Sequence, residues 1–401
     1  MKLSCAIIYV PLYRYIKVVR KIGKDLILLV LATIASTLFV WLPFAFSLGK
    51  GMLTIFANYD GPNYIVIAKT LYQPEIIRRA YSLPIPLEYY PAHLPGYPLL
   101  IRILDILMPG TWAMLLSTLI ATILAAAIFY LFIKKFKLSH SPLFLSILFL
   151  FLPARWLVVR SVGSAEPLFI FALLASFYFF KSALTPVSQN LISKKKIITL
   201  DFLLAGIFGA LAQITKTPGI LLFMAYGLWL MVDGFKKKKF LYQSWPLLLM
   251  PLATLGVFVF YYFQTGNFLA YFQSGDNFHL VFPPFQAFAT GRNWLGDFWL
   301  EDMVYVYLFG ALTMVLLFKQ KLYDLATFAS IFFLATLFVA HRDLSRYSLP
   351  LMPFALIAFA PFLEKKEFKI AFLIILPAIY FYALNFILHN IAPIADWSPY
   401  L

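Results

Sequence analysis

Eleven apolar runs divide this chain of 401 residues, and several are shorter than a perpendicular spanning helix, so one or two could be re-entrant or merged. A spanning helix needs about 20 mainly apolar residues. Hydrophobic residues make up 62% of the chain and charged residues 12%, whereas soluble domains are about 25% charged. The pattern predicts an all-α polytopic integral membrane protein, with residues 1–401 in one transmembrane domain. The predicted helices are 26–48, 112–133, 142–159, 165–180, 200–215, 218–233, 245–264, 303–318, 324–340, 347–363 and 369–388.

The charges between these runs indicate an orientation. If the N-terminus is cytoplasmic, the cytoplasmic connections hold 22 of the 33 lysines and arginines, and most acidic residues fall on the other side. The positive-inside rule therefore supports eleven helices with this orientation. Two connections on the non-cytoplasmic side are long, 49–111 and 265–302, and long loops often carry function. The aromatic and polar residues of loop 265–302 suit either sugar stacking or an interfacial lid.

Composition also argues against several kinds of site. The net charge of +16 follows the topology and forms no basic, aromatic-interleaved soluble module, so nucleic acid is not a predicted partner. The single cysteine, Cys5, excludes an intrachain disulfide. No cysteine or histidine spacing typical of zinc is present, and no glycine-rich phosphate loop is visible. No cofactor is predicted, and a divalent metal is not favoured.

Asp60 is the main candidate functional residue. It lies just after the first apolar run, in the stretch 58–64 with the sequence NYDGPNY. Pro62 is suited to the first turn of a helix, so Asp60 could simply cap that helix. A carboxylate just outside a membrane is equally a candidate general base.

The first long loop is predicted to contain two short helices. In the first, Tyr64, Ile65, Ala68, Leu71 and Tyr72 would share one face, as in an amphipathic helix lying on the membrane; Pro74 would kink or end it. The second, from about 98 to 107, could pair Arg102 with Asp105 at i,i+3.

Two arginines follow the third apolar run. Uninterrupted apolar sequence extends only from 142 to 154, so a spanning helix should continue through Arg155 towards Arg160. Both arginines would then lie near the outer interface, where they either snorkel or bind a phosphate. Glu166 opens the next helix, where it suits a first-turn role as well as a substrate contact.

Two further turns on the same predicted side are rich in cations. The turn 341–347 contains His341, Arg342 and Arg346, and the two arginines stand at i,i+4. Lys216 lies in the short turn 215–218. If these turns converge, they place several cations beside the Asp60 carboxylate.

The order of these motifs resembles that of a known family. The stretch 59–68, YDGPNYIVIA, is similar to the first-loop signature of GT-C membrane glycosyltransferases, above all the glycosylphosphatidylinositol mannosyltransferase II type and its prokaryotic relatives. The stretches 89–91, 96–98, 164–169, 216–219 and 346–353 resemble later motifs of that group in the same order. Departures are Tyr59 in place of the usual Trp, the interruption at 92–94, and Lys216 in place of Arg.

The resemblance implies a GT-C-like fold in a membrane, most simply the plasma membrane of a prokaryote. It implies transfer of a sugar, usually mannose, from a polyprenyl- or dolichyl-phosphate carrier to a lipid or glycan acceptor on the non-cytoplasmic face. Asp60 would be the general base, since the acceptor hydroxyl must lose a proton. The remaining residues would hold the leaving phosphate (Arg155, Arg160, Lys216, Arg342, Arg346) or contact the substrates (Tyr64, His93, Glu166, His341).

Other classes remain open on the residues alone. A transporter or lipid flippase predicts ionisable groups near helix midpoints and two similar halves. A polymerase or ligase of lipid-linked glycans predicts a main loop late in the chain. In a non-catalytic membrane subunit, Asp60→Asn would be silent.

Overall fold

The computed structural model is a helical bundle that describes residues 3–185, 191–238, 241–274, 280–289, 291–292, 294 and 299–401. Every named element among these residues is helical, which confirms the all-α prediction. The α-helices run in chain order as α1 Leu3–Ala45, α2 Met52–Phe56, α3 Gly61–Thr70, α4 Pro74–Ala80, α5 Gly96–Asp105, α6 Gly110–Phe136, α7 Pro142–Phe149, α8 Ala154–Val159, α9 Glu166–Leu184, α10 Leu191–Thr215, α11 Gly219–Lys237, α12 Leu249–Thr265, α13 Trp299–Lys319, α14 Tyr323–Leu337, α15 Leu344–Tyr347, α16 Met352–Leu363 and α17 Lys366–His389. Short 3₁₀ turns cover Leu87–Ala92, Tyr242–Leu248, Ala270–Gln273, Gln286–Phe288 and Leu349–Leu351.

Eight helical segments of the described chain are long and apolar enough to cross a membrane, so the protein is a polytopic membrane protein. Two further predicted spans correspond to shorter apolar helices, Thr199–Thr215 and Tyr323–Leu337. A count of eleven spanning helices stays a prediction. The eight long segments are Arg20–Ala45, Gly110–Phe136, Glu166–Leu184, Gly219–Lys237, Tyr242–Thr265, Glu301–Lys319, Leu344–Leu363 and Lys366–His389.

The prediction of one continuous helix from 142 towards Arg160 is wrong. The segment is split into α7 and α8, and Pro153 stands immediately before α8. Proline lacks an N–H group and disfavours helical conformation in the residue before it, so the helix cannot run through this point. Arg160 folds back, and its Nε donates a hydrogen bond of 2.7 Å to the carbonyl of Leu150. A guanidinium thus satisfies a carbonyl at the open end of α7.

The first surface helix of the long loop is also different from the prediction. Pro62 does lie in the first turn of α3, but Tyr64, Ile65, Val66 and Ile67 are all buried. α3 packs against α5 and α6, so it lies inside the protein and is not an amphipathic helix on the membrane. It ends at Thr70, before Pro74, and Pro74 begins α4.

α5 fixes the end of α3 and approaches the end of α10. Arg102 donates to the carbonyls of Ala68 at 2.7 Å and Lys69 at 3.4 Å, and it forms no ion pair with Asp105 among the described residues. At the start of α5, a Cβ on Gly96 would lie 2.5 Å from Thr215 Oγ1, so only glycine allows this approach. The loop that carries Asp60 is thereby held against the turn that carries Lys216.

Two non-helical segments pack against the ends of helices. Residues 280–285 pair with the end of α14 through hydrogen bonds from Val281 N to Phe338 O (2.8 Å) and from Phe285 N to Leu337 O (2.7 Å). The remainder of loop 265–302, including 275–279, 290, 293 and 295–298, lies outside the described residues. After α17, Ala392 N donates to Ala57 O at 2.9 Å, which ties the C-terminal segment to the residues just before Asp60.

Candidate active site

A cavity of about 750 Å³ opens at the end of the bundle where the two long loops meet. Its walls come from the two long loops, α8, the turn after α10, the start of α13, α15 with the turn before it, and the end of α17. The predicted site residues that line it are Asp60, Tyr64, His93, Arg155, Lys216, His341, Arg342 and Arg346. Residues distant in sequence therefore converge, as the hypothesis of a shared site requires.

Asp60 stands at the N-cap position of α3, but its carboxylate does not cap the helix. Its Oδ2 accepts a hydrogen bond of 2.9 Å from Nη2 of Arg346, and its Oδ1 lies 3.6 Å from Nε2 of His93. Burial alone would raise the pKa of the Asp60 carboxyl, but the positive charge of Arg346 and the His93 imidazole outweigh burial and hold that pKa well below its ordinary value. The carboxylate is therefore ionised at neutral pH and faces the cavity.

Glu166 lies behind Arg346 and connects two cations. Its Oε1 is 2.6 Å from Nε of Arg346 and 2.5 Å from Nζ of Lys216, and the side chain is only 1% exposed. The hydroxyl of Ser164 donates to the other carboxylate oxygen, Oε2. The Ser164 N–H in turn donates to the hydroxyl of buried Tyr97 at 3.2 Å. Glu166 thus holds Arg346 and Lys216 side by side without itself lining the cavity.

The two arginines of the broken segment have separate environments. Arg160 is fully buried away from the cavity, and its guanidinium donates to Leu150 O, Thr37 Oγ1 (2.9 Å) and Ser36 Oγ (2.9 Å). These contacts stabilise the packing of α7 against α1, so we leave Arg160 out of the proposed site.

Arg155 does line the cavity and is paired there. Its Nη2 lies 2.6 Å from Oδ1 of Asp343, and its guanidinium carbon lies 3.5 Å from the ring centroid of Phe386. The hydroxyl of Tyr382 accepts from its Nη1 at 3.3 Å. Arg155 is buried at the edge of the cavity, and its charge is already balanced by Asp343.

The cations that line the cavity differ in how far their charges are already paired. Arg342 is exposed, and none of the ion pairs among the described residues includes it. Lys216 is 22% exposed and touches Glu166 with one ammonium that can donate more hydrogen bonds. Arg342 and Lys216 are therefore the cations best placed to meet an incoming anion.

The aromatic and imidazole candidates pack around these charges. The buried ring of Tyr64 contacts His93 edge to face, with ring centroids 5.1 Å apart. His93 is 7% exposed, so it faces the cavity over a small area only. The Nδ1 of His341 accepts from the backbone N–H of Asp343 at 2.9 Å, and this bond shapes the turn before α15.

Sequence reasoning missed several residues that shape the cavity. Tyr59 adopts a left-handed φ of 53°, which is unusual for a bulky side chain, and its ring lies 4.3 Å from the guanidinium of Arg346 and 5.3 Å from that of Arg155. Tyr382 and Phe386 on α17, and residues 390–392 after it, also line the cavity. The sequence carries no local signal for these, because the final helix reads as a plain apolar span.

Within the part of the chain that the structure describes, no group of three or more His, Cys, Asp or Glu side chains is arranged to hold a metal ion. The cavity is instead lined by the carboxylates of Asp60, Asp302 and Asp343 and by several cations, and the buried carboxylate of Glu166 lies behind Arg346. Such a site can accept a proton and bind an anion.

Comparison with known proteins adds no assignment: no protein-family model matches the chain, and no curated protein matches its sequence. The fold and the cavity define a helical membrane protein with a charged site at one end of its bundle.

Proposed function

We propose that this protein is a glycosyltransferase of the GT-C type, which moves a sugar from a polyprenyl- or dolichyl-phosphate carrier to a hydroxyl of a lipid or glycan acceptor. The observation that carries the proposal is the environment of Asp60. Its carboxylate leaves the helix end uncapped, faces the cavity and lies beside Arg346.

The reaction requires three events, for which this cavity holds suitable groups. The acceptor oxygen forms a bond to the anomeric carbon, and its hydroxyl proton passes to Asp60. The bond between that carbon and the phosphate oxygen breaks, and its electron pair stays on the lipid phosphate. Arg342, Lys216 and Arg346 would stabilise the phosphate in a site partly shielded from water.

The membrane supplies the donor in this scheme. A lipid phosphate keeps its chain in the bilayer while its headgroup reaches the end of the bundle, so the protein needs no nucleotide-binding fold. Mannose is the sugar that the family resemblance implies, and membrane lipids would surround both substrates.

The test is direct transfer. Purified protein in lipid nanodiscs would be supplied with polyprenyl-phosphate mannose, labelled in the sugar, together with a membrane lipid extract as the source of acceptors. We expect label to move to an acceptor and free polyprenyl phosphate to accumulate. If neither happens with mannose or with glucose and other hexose donors, the proposal is wrong.

The side of the membrane is a separate part of the proposal, supported by the distribution of lysine and arginine. In a Cys5→Ser background, Ala80→Cys places a thiol at the exposed end of α4, and His140→Cys places one at the exposed connection before α7. In intact cells, an impermeant maleimide should label the first cysteine and not the second. The opposite result would reverse the proposed topology.

A further inference from the structure

Arg346 is shared between two carboxylates in the resting site. Its Nη2 bonds to Asp60 at 2.9 Å and its Nε to Glu166 at 2.6 Å. Among the described residues, Arg346 makes its hydrogen bonds through Nε and Nη2 and leaves Nη1 for another partner. The side chain is 14% exposed and lines the cavity. An anion that enters the cavity can therefore reach a guanidinium that already holds Asp60.

The two bonds of Arg346 differ in how easily they break. Glu166 is 1% exposed and is held from three directions by Arg346, Lys216 and Ser164. Asp60 is 27% exposed, and Arg346 is its closest charged partner. Removing a buried carboxylate from its partners is costly, so the bond to Asp60 is the weaker one when a third anion competes.

The resting pair is also unsuited to catalysis as it stands. A carboxylate whose charge is fully engaged by a guanidinium is a weak base, and base strength in the transition state depends on that charge being available. Asp60 and Glu166 together balance Arg346 and Lys216, so a phosphate added to these four groups leaves an excess of negative charge among them.

We propose that Arg346 passes from Asp60 to the phosphate of the donor when the donor binds, and that this transfer of the guanidinium frees the Asp60 carboxylate to accept the acceptor proton. Glu166 keeps Arg346 at the cavity throughout. Donor binding then precedes proton abstraction, because Asp60 becomes an effective base only in the loaded site. This inference rests on the proposed function and adds to it the order of events at Arg346.

The proposal has a reciprocal consequence. If phosphate and Asp60 compete for one guanidinium, each weakens the binding of the other by the same factor. Removing the charge of Asp60 should therefore strengthen phosphate binding even though it abolishes transfer. A simple structural role for the Asp60–Arg346 pair predicts weaker binding or none, since the site would lose order.

The experiment measures the affinity of the purified protein for farnesyl phosphate, with inorganic phosphate and farnesol as parallel probes. The variants are Asp60→Asn, Asp343→Asn and Asp324→Asn. Asp343→Asn frees Arg155 in the same cavity, whereas Asp324 pairs with Lys181 in the first turn of α14, at the opposite end of that helix from the turn 341–347. Thermal unfolding of each variant shows whether it is folded before binding is measured.

We expect Asp60→Asn to bind farnesyl phosphate at least about fivefold more tightly than the wild type, within the usual range of coupling between sites. Inorganic phosphate should show the same gain, and farnesol should show none. The gain for Asp343→Asn should be smaller, and Asp324→Asn should match the wild type.

Three results would overturn the proposal. Unchanged or weaker farnesyl phosphate binding by folded Asp60→Asn would show that Arg346 is not passed on. A larger gain for Asp343→Asn would place the phosphate at Arg155, and an equal gain for farnesol would show that charge is not involved. Failure of the wild type to transfer sugar from any lipid phosphate would instead overturn the proposed function, which is measured separately.

Discussion

The two ends of the helical bundle use the same residue types in different ways. At the end formed by the lysine-rich connections, here called the lysine end, Lys181 pairs with Asp324 at 2.5 Å, and Tyr130 donates to Asp25 at 2.5 Å. At the end with the cavity, here called the cavity end, Arg346 is shared between Asp60 and Glu166. An ion pair between two helices can stabilise their packing. A cation that contacts two carboxylates beside a cavity can exchange one of them for a ligand.

The ion pairs at the lysine end also differ in their surroundings from those at the cavity end. Two of its ion pairs join different helices: Lys181 of α9 with Asp324 of α14, and Lys134 near the end of α6 with Asp25 of α1 at 3.8 Å. At the cavity end, segments from the first loop to the end of α17 surround one cavity. Ion pairs at the lysine end therefore contribute to helix packing, whereas those at the cavity end also border a space that a ligand can enter.

The largest effect on stability should come from Glu166→Gln, which removes the charge between Arg346 and Lys216. Breaking a buried ion pair from one side typically costs about 3–5 kcal/mol. Asp324→Asn at the lysine end should cost less, because the flexible side chain of Lys181 can turn towards water. Thermal unfolding in the same detergent measures both losses. Equal losses of stability in the two variants would show that the charges at the two ends contribute equally to folding.

A smaller effect should separate the two arginines of the broken segment. Arg160→Met removes the donors that hold Leu150, Thr37 and Ser36, and we expect a loss of about 2 kcal/mol because buried acceptors are left unpaired. Sugar transfer per folded molecule should be unchanged.

Arg155→Met makes the same substitution at the cavity and serves as the comparison for Arg160→Met. It leaves Asp343 unpaired beside the substrates, so we expect transfer per folded molecule to fall while the unfolding temperature changes less than in Arg160→Met. If Arg160→Met lowered transfer without lowering stability, the assignment of Arg160 to packing would be wrong.

The membrane class and several of the charged residues that line the cavity could be predicted from the sequence. The contacts that shape the cavity could not. Apolar run lengths predicted the helical segments, since hydrophobic length is a local property. Asp60, Lys216 and Arg346 could be chosen because charged residues at the ends of apolar helices are few. That Arg346 would touch both Asp60 and Glu166 depends on contacts between residues far apart in the chain, which no local pattern records.

Three features of the structure could not be predicted from the sequence, because each depends on tertiary contacts that no local pattern records. The burial of α3 results from its packing on α5 and α6, although its own sequence resembles a surface helix. The break before Pro153 is tolerated because Arg160 returns to the Leu150 carbonyl. The C-terminal segment meets the residues before Asp60 through a bond between Ala392 and Ala57.

The central claim is that Asp60 takes the proton in a sugar transfer from a lipid phosphate. The most direct measurement is the rate of polyprenyl-phosphate release in a single turnover by the wild type, Asp60→Asn and Asp324→Asn, with each variant shown to be folded. General-base catalysis is typically worth about 10²–10⁴ in rate, so we expect a loss of that size in Asp60→Asn and none in Asp324→Asn. Wild-type rates in folded Asp60→Asn would contradict the claim.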